Sequence, residues 1–242
     1  MAVLVYGPPG SGAELVAAEL TRLGAPALAW DGRSAQPEPE PGPEGAGAPR
    51  LLRTVASLEA CLARWPEGSR ASAESWAAAR ERQRHLITAT RVVLDTTHRD
   101  RGAVSRALAG LPGAWLDQGS EPVVVAESFS FIRGVPLDLD CCLDARPISN
   151  PYWVEELRPF PGTDPRVSSF VLEQEAARRL MDVAEEMVES QLRPQGRSRP
   201  LIRLAVGCTG GRHRSVAIAE ELSRRLTQRG ARAVVWHRDL EG

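Results

Sequence analysis

The sequence predicts an α/β protein. A degenerate P-loop NTPase-like domain spans residues 1–119, and a second α/β domain with a mainly parallel sheet spans 120–242. Three observations predict this. Short apolar strand-like runs alternate with helical patterns along the whole chain. Two of the strand-to-helix joints are glycine-rich, at Gly7–Gly12 and Gly207–Gly211. The pattern also resets at Gly119–Pro122, which divides the two halves.

Val3–Tyr6 reads as a short buried strand, followed by the turn GPPGSG. The run AELVAAELTRL at 13–23 is a helix, with Leu15, Ala18 and Leu23 as its apolar positions. A second strand is expected at 27–30. Residues 33–49 are rich in Pro, Glu and Gly; they lack apolar surface to bury and read as a flexible loop. Helices are expected at Leu51–Arg64 and Trp76–Thr88, with a loose stretch at Pro66–Ser75 between them. A strand at 91–95 ends in Asp95, Thr96 and Thr97, and a short helix follows over Arg101–Leu111.

In the second half, Pro122–Ile132 and Leu139–Asp144 read as strands. The aromatic- and proline-dense run Asn150–Gly162 reads as a rigid loop. Val167–Leu192 is the clearest helix, with Phe170, Ala177, Leu180, Ala184 and Met187 as its apolar stripe. Pro194–Pro200 breaks it. Leu201–Val206 is a buried strand, Arg214–Gln228 a helix with Gly230 as its C-cap, and Ala231–Trp236 a last strand.

Composition narrows the function. The 30 basic and 31 acidic residues leave a net charge of −1, so no global positive field exists to gather nucleic acid. Every basic residue is Arg, so no Lys is available as a point charge on phosphate or as a Schiff-base nucleophile. The four cysteines, Cys61, Cys141, Cys142 and Cys208, form no Cys-x-x-Cys pair and predict neither a disulfide framework nor a zinc site. Cys141 and Cys142 read as small core residues. No apolar run is long enough to span a membrane, and the N-terminus lacks the features of a signal peptide, so a cytoplasmic location is expected.

The residues that carry chemistry lie in the unit LIRLAVGCTGGRHRSVAIAEELSRRL at 201–226. A buried strand enters a glycine-rich turn that opens into a helix. Such a joint aims several backbone N–H groups and the positive end of a helix at one point. Gly207, Gly210 and Gly211 let the backbone curl, Thr209 and Ser215 add hydroxyls, and His213 adds a pH-sensitive donor. Arg214 is placed to grip an oxyanion with two parallel hydrogen bonds. Three readings stand: an anion-binding loop, an ordinary tight turn, or the Cys208-x5-Arg214 spacing of a phosphatase with a thiolate nucleophile. No catalytic residue is assigned, because no general acid is evident beyond an arguable Asp144.

The N-terminal joint, Gly7-Pro8-Pro9-Gly10-Ser11-Gly12-Ala13-Glu14, follows the spacing of a P-loop. Ala13 stands where the Lys belongs and Glu14 where the Ser or Thr belongs. Gly7, Gly10, Ser11 and Gly12 are then a degenerate nucleotide-binding scaffold, and ATP or GTP is expected to bind weakly if at all. Asp95 is either a Mg²⁺-associated carboxylate or a cap before Thr96 and Thr97. No metal ligand set is assigned.

Three long motifs in order resemble the RapZ/YvcJ family of bacterial RNase adapter proteins. They are ESFSFIRGVPLDLD, LDARPISNPYWVEELRPFPGTDPRV and VGCTGGRHRSVAIAEEL, within residues 127–239. The resemblance implies an N-terminal P-loop domain and a C-terminal α/β domain that binds an amino-sugar phosphate or a nucleotide sugar. It also implies a non-enzymatic, metabolite-responsive regulatory adapter that partners a small RNA and a ribonuclease, and a homo-oligomer. By motif position it places Asp144, Arg146, Asn150, Tyr152, Cys208, Thr209, Gly210, Gly211, His213 and Arg214 in the sugar-phosphate pocket. Read without it, Asp144 and Arg146 are equally a surface ion pair at a strand end, and Tyr152 equally a packing residue. The chain departs from the family in its P-loop, in a shortened N-terminal half, and in ending HRDLEG in place of a basic tail. Residual RNA contact would fall to Arg224, Arg225, Arg229, Arg232, His237 and Arg238, which equally suit a solvated face.

Overall fold

The computed structural model describes residues 3–25, 27–31, 50–64, 73–83, 86, 92–97, 101–109, 122–192 and 201–240. The proline- and glutamate-rich stretch at 33–49, most of the loose stretch at 66–75 and the break at 194–200 lie outside them. The chain divides into two compact units, Met1–Pro112 and Gly113–Gly242. No helix among the described residues is long and apolar enough to cross a membrane.

In the first unit, β1 (Val3–Tyr6), β2 (Ala27–Trp30), β3 (Arg50–Val55) and β4 (Val92–Asp95) form a parallel sheet in the order β2-β1-β3-β4. The helices are α1 (Ala13–Arg22), α2 (Leu58–Ala63), α3 (Ala73–Arg82) and α4 (Arg101–Ala109). Along α1 the buried positions are Ala13, Val16, Ala17, Glu19 and Leu20, not the expected Leu15, Ala18 and Leu23. Gly12 stands in the left-handed region at φ 81°, so the turn before the helix sets which face meets the sheet.

The helix expected over Leu51–Arg64 is a strand followed by a short helix. The leucines favour a helix locally, yet pairing with both β1 and β4 buries Leu52 completely, and this tertiary gain outweighs propensity. Ser57 marks the switch: its Oγ accepts from the Ala60 amide at 3.2 Å and caps α2. α3 ends at Arg82 rather than Thr88, and Gln83 turns its side-chain amide onto the Gly7 carbonyl at 2.9 Å.

In the second unit, β5 (Val123–Ser130), β6 (Cys141–Asp144), β7 (Leu201–Cys208) and β8 (Arg232–His237) form a parallel sheet in the order β6-β7-β5-β8. The helices are α5 (Pro165–Leu172), α6 (Glu175–Leu192) and α7 (Arg214–Gln228). Strand alternation sends Val124, Ala126, Ile202, Leu204, Val206 and Cys208 to one face, where they pack with Met181, Ile218 and Leu222 in a single core. The other face carries Glu127 and Arg203. Arg203 Nη1 lies 3.3 Å from Glu127 and 3.0 Å from Asp138, so this buried cation meets two carboxylates.

The single helix expected over Val167–Leu192 is two. Gln174 makes the break: its Oε1 accepts from the Ser149 amide at 2.8 Å, its Nε2 donates to Phe170 O at 3.0 Å, and its own carbonyl receives the Ala177 amide at 3.1 Å. α5 starts earlier than expected because Asp164 caps it with Pro165 in its first turn. Cys141 is buried but Cys142 is exposed, as adjacent strand residues on opposite faces must be. Met187 also leaves the expected core stripe at 37% exposure, while Met181 and Val188 are fully buried.

The corrected stripe has a direct consequence for stability. Met181→Ala leaves a cavity and is expected to cost about 2–5 kcal/mol, whereas Met187→Ala costs about 0.5 kcal/mol or less. Urea unfolding of the two variants checks this; equal losses would place the helix face wrongly.

Candidate anion-binding site

β7 runs between β5 and β6 and delivers the chain to the loop at its C-terminal edge, where parallel sheets place ligands. Glycine is required at two positions here. A Cβ on Gly207 would sit 2.4 Å from the Phe129 ring and 2.6 Å from Phe131. Gly211 stands at φ 66°, and a Cβ there would lie 3.0 Å from the Ser130 amide nitrogen. Gly210 has open space around it and, like Thr209, is exposed.

The loop is braced from both sides. Ser130 Oγ donates to Thr209 O at 2.8 Å, and the Ser130 amide donates to Asp239 at 2.7 Å. Opposite, the Gly162 amide donates to Arg212 O at 2.8 Å and Arg212 Nη2 to Pro159 O at 2.7 Å. A Cβ on Gly162 would come 2.1 Å from His213 O, so only glycine permits this approach. The amides of residues 210–216 find no hydrogen-bond acceptor among the described residues, and the N-cap residue of α7, His213, makes no side-chain capping bond.

Arg214 is buried at 5% exposure, and its guanidinium is a strut as well as a charge. Nη1 donates to Arg146 O and Ile148 O, both at 2.9 Å, and Nη2 to Thr209 Oγ1 at 3.3 Å. The expected grip on an oxyanion through two parallel bonds is therefore partly used within the protein. Nε remains buried without a partner, and no carboxylate lies within ion-pair distance among the described residues. A buried cation in this state is costly, and an anion in contact would offset the cost.

Cys208 Sγ lies 3.1 Å from Ser215 Oγ, and both side chains are buried. Asp144 pairs with Arg146 through both oxygens, the shortest contact being 2.7 Å, and this pair holds the Asp144 carboxyl below the usual range. Arg146 also lies over the Phe131 ring, 4.1 Å from its centroid. His213 is pushed down by burial. Its Nε2 meets Arg158 O at 3.2 Å, which assigns the proton to that nitrogen.

Asp144, Arg146, Cys208, Thr209, Gly210, Gly211, Arg214 and Ser215 thus gather at the end of β6 and β7. The hydrogen bonds and ring contacts of Asn150 and Tyr152 lie within their own segment. Asn150 Oδ1 accepts from the Tyr152 amide at 3.3 Å, and the Tyr152 ring packs edge-on to Trp153 and against Arg158. Their link to the site runs through Arg158 and His213. Ser130, Phe131, Gly162 and Asp239 also shape the site. Gly162 lies in one of the three long motifs without a role of its own, and no sequence signal marks Asp239, because its partner is remote in the chain.

Ser128 Oγ, His237 and Glu220 form a chain at 2.8 and 3.0 Å in the order of a hydrolase triad. Ser128 is fully buried in the middle of β5, so this chain ties β5, β8 and α7 together and offers no nucleophile. In the first unit, Ser11 Oγ lies 2.7 Å from Thr54 Oγ1, and Gly7, Gly10 and Gly12 form the turn between β1 and α1. Asp95 Oδ1 accepts from the Thr97 amide and hydroxyl at 2.9 and 2.6 Å, the capping arrangement. Among the described residues no three His, Cys, Asp or Glu side chains converge as metal ligands.

The model of the RapZ C-terminal domain matches residues 122–241. A nucleotide-binding protein of Corynebacterium jeikeium is 44% identical over 168 residues, covering 66% of this chain and 56% of that protein. Nucleotide-binding proteins of Streptomyces coelicolor and Frankia alni are 40% and 43% identical, covering 68% and 66% of this chain and 54% and 56% of their own lengths. The chain spans about half the length of these relatives. With the cradle formed by β7, its glycine turn and α7 inside the matched region, the chain belongs to the RapZ family, and its second unit is a RapZ C-terminal domain.

Proposed function

We propose that the second unit is the sensing module of a metabolite-responsive, non-enzymatic adapter. Its Cys208–Ser215 loop holds the phosphate of an amino-sugar phosphate or a nucleotide sugar without cleaving it. The observation that carries this reading is the buried Arg214 guanidinium. Its Nε has no partner, and it lies beside a run of amides without acceptors. The relatives' names add nucleotide binding, and a nucleotide sugar would satisfy both descriptions.

Binding is favoured over phosphatase chemistry by the state of the neighbouring acid. A leaving oxygen needs a protonated donor. Asp144, the one arguable candidate, is held ionised by Arg146. Nucleic acid is a weaker partner for this chain than the family resemblance implies. Arg224, Arg225 and Arg229 are neutralised by Glu221, Glu185, Asp182 and Glu189 on α6 and α7, so RNA contact is modest and salt-dependent. Exposed Val183 and Met187 on α6 suit the self-association that the resemblance implies, and a cytoplasmic location fits the whole reading.

Calorimetry with glucosamine-6-phosphate, UDP-N-acetylglucosamine and inorganic phosphate tests the site. Loss of one charge-assisted partner costs about 1.5–3 kcal/mol, so Arg214→Ala weakens binding by roughly ten- to a hundredfold. Arg214→Lys recovers only part, because one ammonium cannot serve the Arg146 and Ile148 carbonyls and the ligand together. Unchanged affinity in a folded Arg214→Ala variant would reduce the loop to a turn. Phosphate release from sugar or aryl phosphates that is lost in Cys208→Ser would instead show an enzyme.

The pH profile gives an independent check. A protonated His213 would add positive charge and strengthen anion binding as pH falls. Burial lowers the pH at which this occurs below the ordinary histidine value of 6.5. Sulfate, which does not titrate here, is therefore expected to bind equally from about pH 6.5 to 8. A rise in affinity across that window would mean that His213 charges within it.

A further inference from the structure

The carbonyls of the Cys208–Ser215 loop decide where its amides point. A trans peptide directs its C=O and its N–H oppositely, and no cis peptide bond occurs among the described residues. A group that holds a carbonyl therefore aims the amide of the next residue. Two carbonyls of the loop are held in this way. Thr209 O accepts from Ser130 Oγ at 2.8 Å and from the Ile132 amide at 3.4 Å, and Arg212 O accepts from the Gly162 amide at 2.8 Å. The Gly210 N–H is thereby turned away from β5, and the His213 N–H away from the segment that carries Gly162.

The two clamps differ in kind. Backbone meets backbone at Arg212, where the approach of Gly162 leaves no room for a side chain. Thr209 O is held chiefly by one hydroxyl, since the Ile132 amide stands at the long end of hydrogen-bonding range. The peptide that Thr209 O belongs to leads into Gly210, which is exposed, has open space around it and has no Cβ to restrict φ. Turning this one peptide over changes only ψ of Thr209 and φ of Gly210, and the Thr209 side chain keeps its bond to Arg214. The turned peptide would present a carbonyl oxygen where the Gly210 N–H now stands, and an anion is repelled by it. Ser130 is itself fixed: it is buried, and its amide donates to Asp239 at 2.7 Å.

We infer that Ser130 is a positioning residue for the anion loop: its hydroxyl keeps the Thr209–Gly210 peptide in the orientation that offers an N–H, and without it the peptide turns over and the loop loses affinity. The inference rests on the reading of Cys208–Ser215 as an anion-binding loop. Ser130 acts through the Thr209 carbonyl and needs no contact with the ligand.

The full-length protein, with ¹⁵N in its glycines, is titrated with inorganic phosphate by NMR and calorimetry. In the wild type the Gly210 amide is expected as one resonance that moves as phosphate saturates. Ser130→Ala should weaken phosphate binding about three- to tenfold, because only the fraction of molecules with the N–H presented is competent to bind. In the phosphate-free variant the Gly210 amide should report two orientations, as a second resonance or as exchange broadening, which a general loss of stability would not confine to this residue. Ser128→Ala removes a buried hydroxyl from the same strand, one bonded to His237 and not to the loop, and should leave phosphate affinity unchanged. A folded Ser130→Ala protein with wild-type affinity, or an equal loss in Ser128→Ala, overturns the inference and leaves the anion-loop reading standing. So does a wild-type Gly210 amide that stays still while phosphate binds in an Arg214-dependent way, a result available even if no Ser130 variant folds. A wild type that binds no phosphate overturns both.

Discussion

A guanidinium in a protein interior has five N–H groups to place and a charge to balance, and the site is built around one that has placed the bonds of Nη1 and Nη2 but neither its Nε–H nor its charge. Arg214 joins the first turn of α7 to the carbonyls of Arg146 and Ile148, just beyond β6, and to the hydroxyl of Thr209 in the loop. Three segments that are separate in sequence take their relative positions from this one side chain. Arg203, on the opposite face of the sheet, is equally buried but meets Glu127 and Asp138. The contrast separates a cation neutralised within the fold from one with no carboxylate at ion-pair distance among the described residues.

The surroundings of Arg214 support the same division of labour. Ser130 and Asp239 brace the glycine turn on one side, and Gly162 and Arg212 brace it on the other. A loop with its carbonyls tied down leaves its amides facing outwards, and preorganised amides bind an anion without the cost of ordering. His213, neutral and bonded to Arg158 O, contributes position rather than charge. Asp144 is likewise occupied by Arg146, so the neighbouring carboxylate neither repels freely nor donates a proton.

The two glycine turns of this chain show how little a local motif says about its surroundings. Both follow a buried parallel strand and open a helix. In the first, residues more than 40 positions away lie on the loop: Thr54 against Ser11, Arg64 against Gly10, Thr96 against Ser11. In the second, the remote residues brace the loop from beneath and beside it, and Gly210 keeps open space. A glycine removes a Cβ in both cases; what enters the vacated space is set by the packing of other elements.

The sequence by itself determined the alternation of strand and helix, the joint at 201–226, the extent of α7 and the family, because hydrophobic period, glycine position and long motifs are local quantities. It placed α6 correctly in kind but not the break at Gln174, whose cause is a hydrogen bond to Ser149. It read Leu51 and Leu52 as helical, since nothing local discloses that β1 and β4 lie on either side. It named Arg214 as the anion's partner but not as the strut for Arg146 and Ile148, and it assigned Ser130, Gly162 and Asp239 no role. Only the tertiary structure decided these, because each depends on which atoms from distant parts of the chain arrive within about 3 Å, the range over which a hydrogen bond forms.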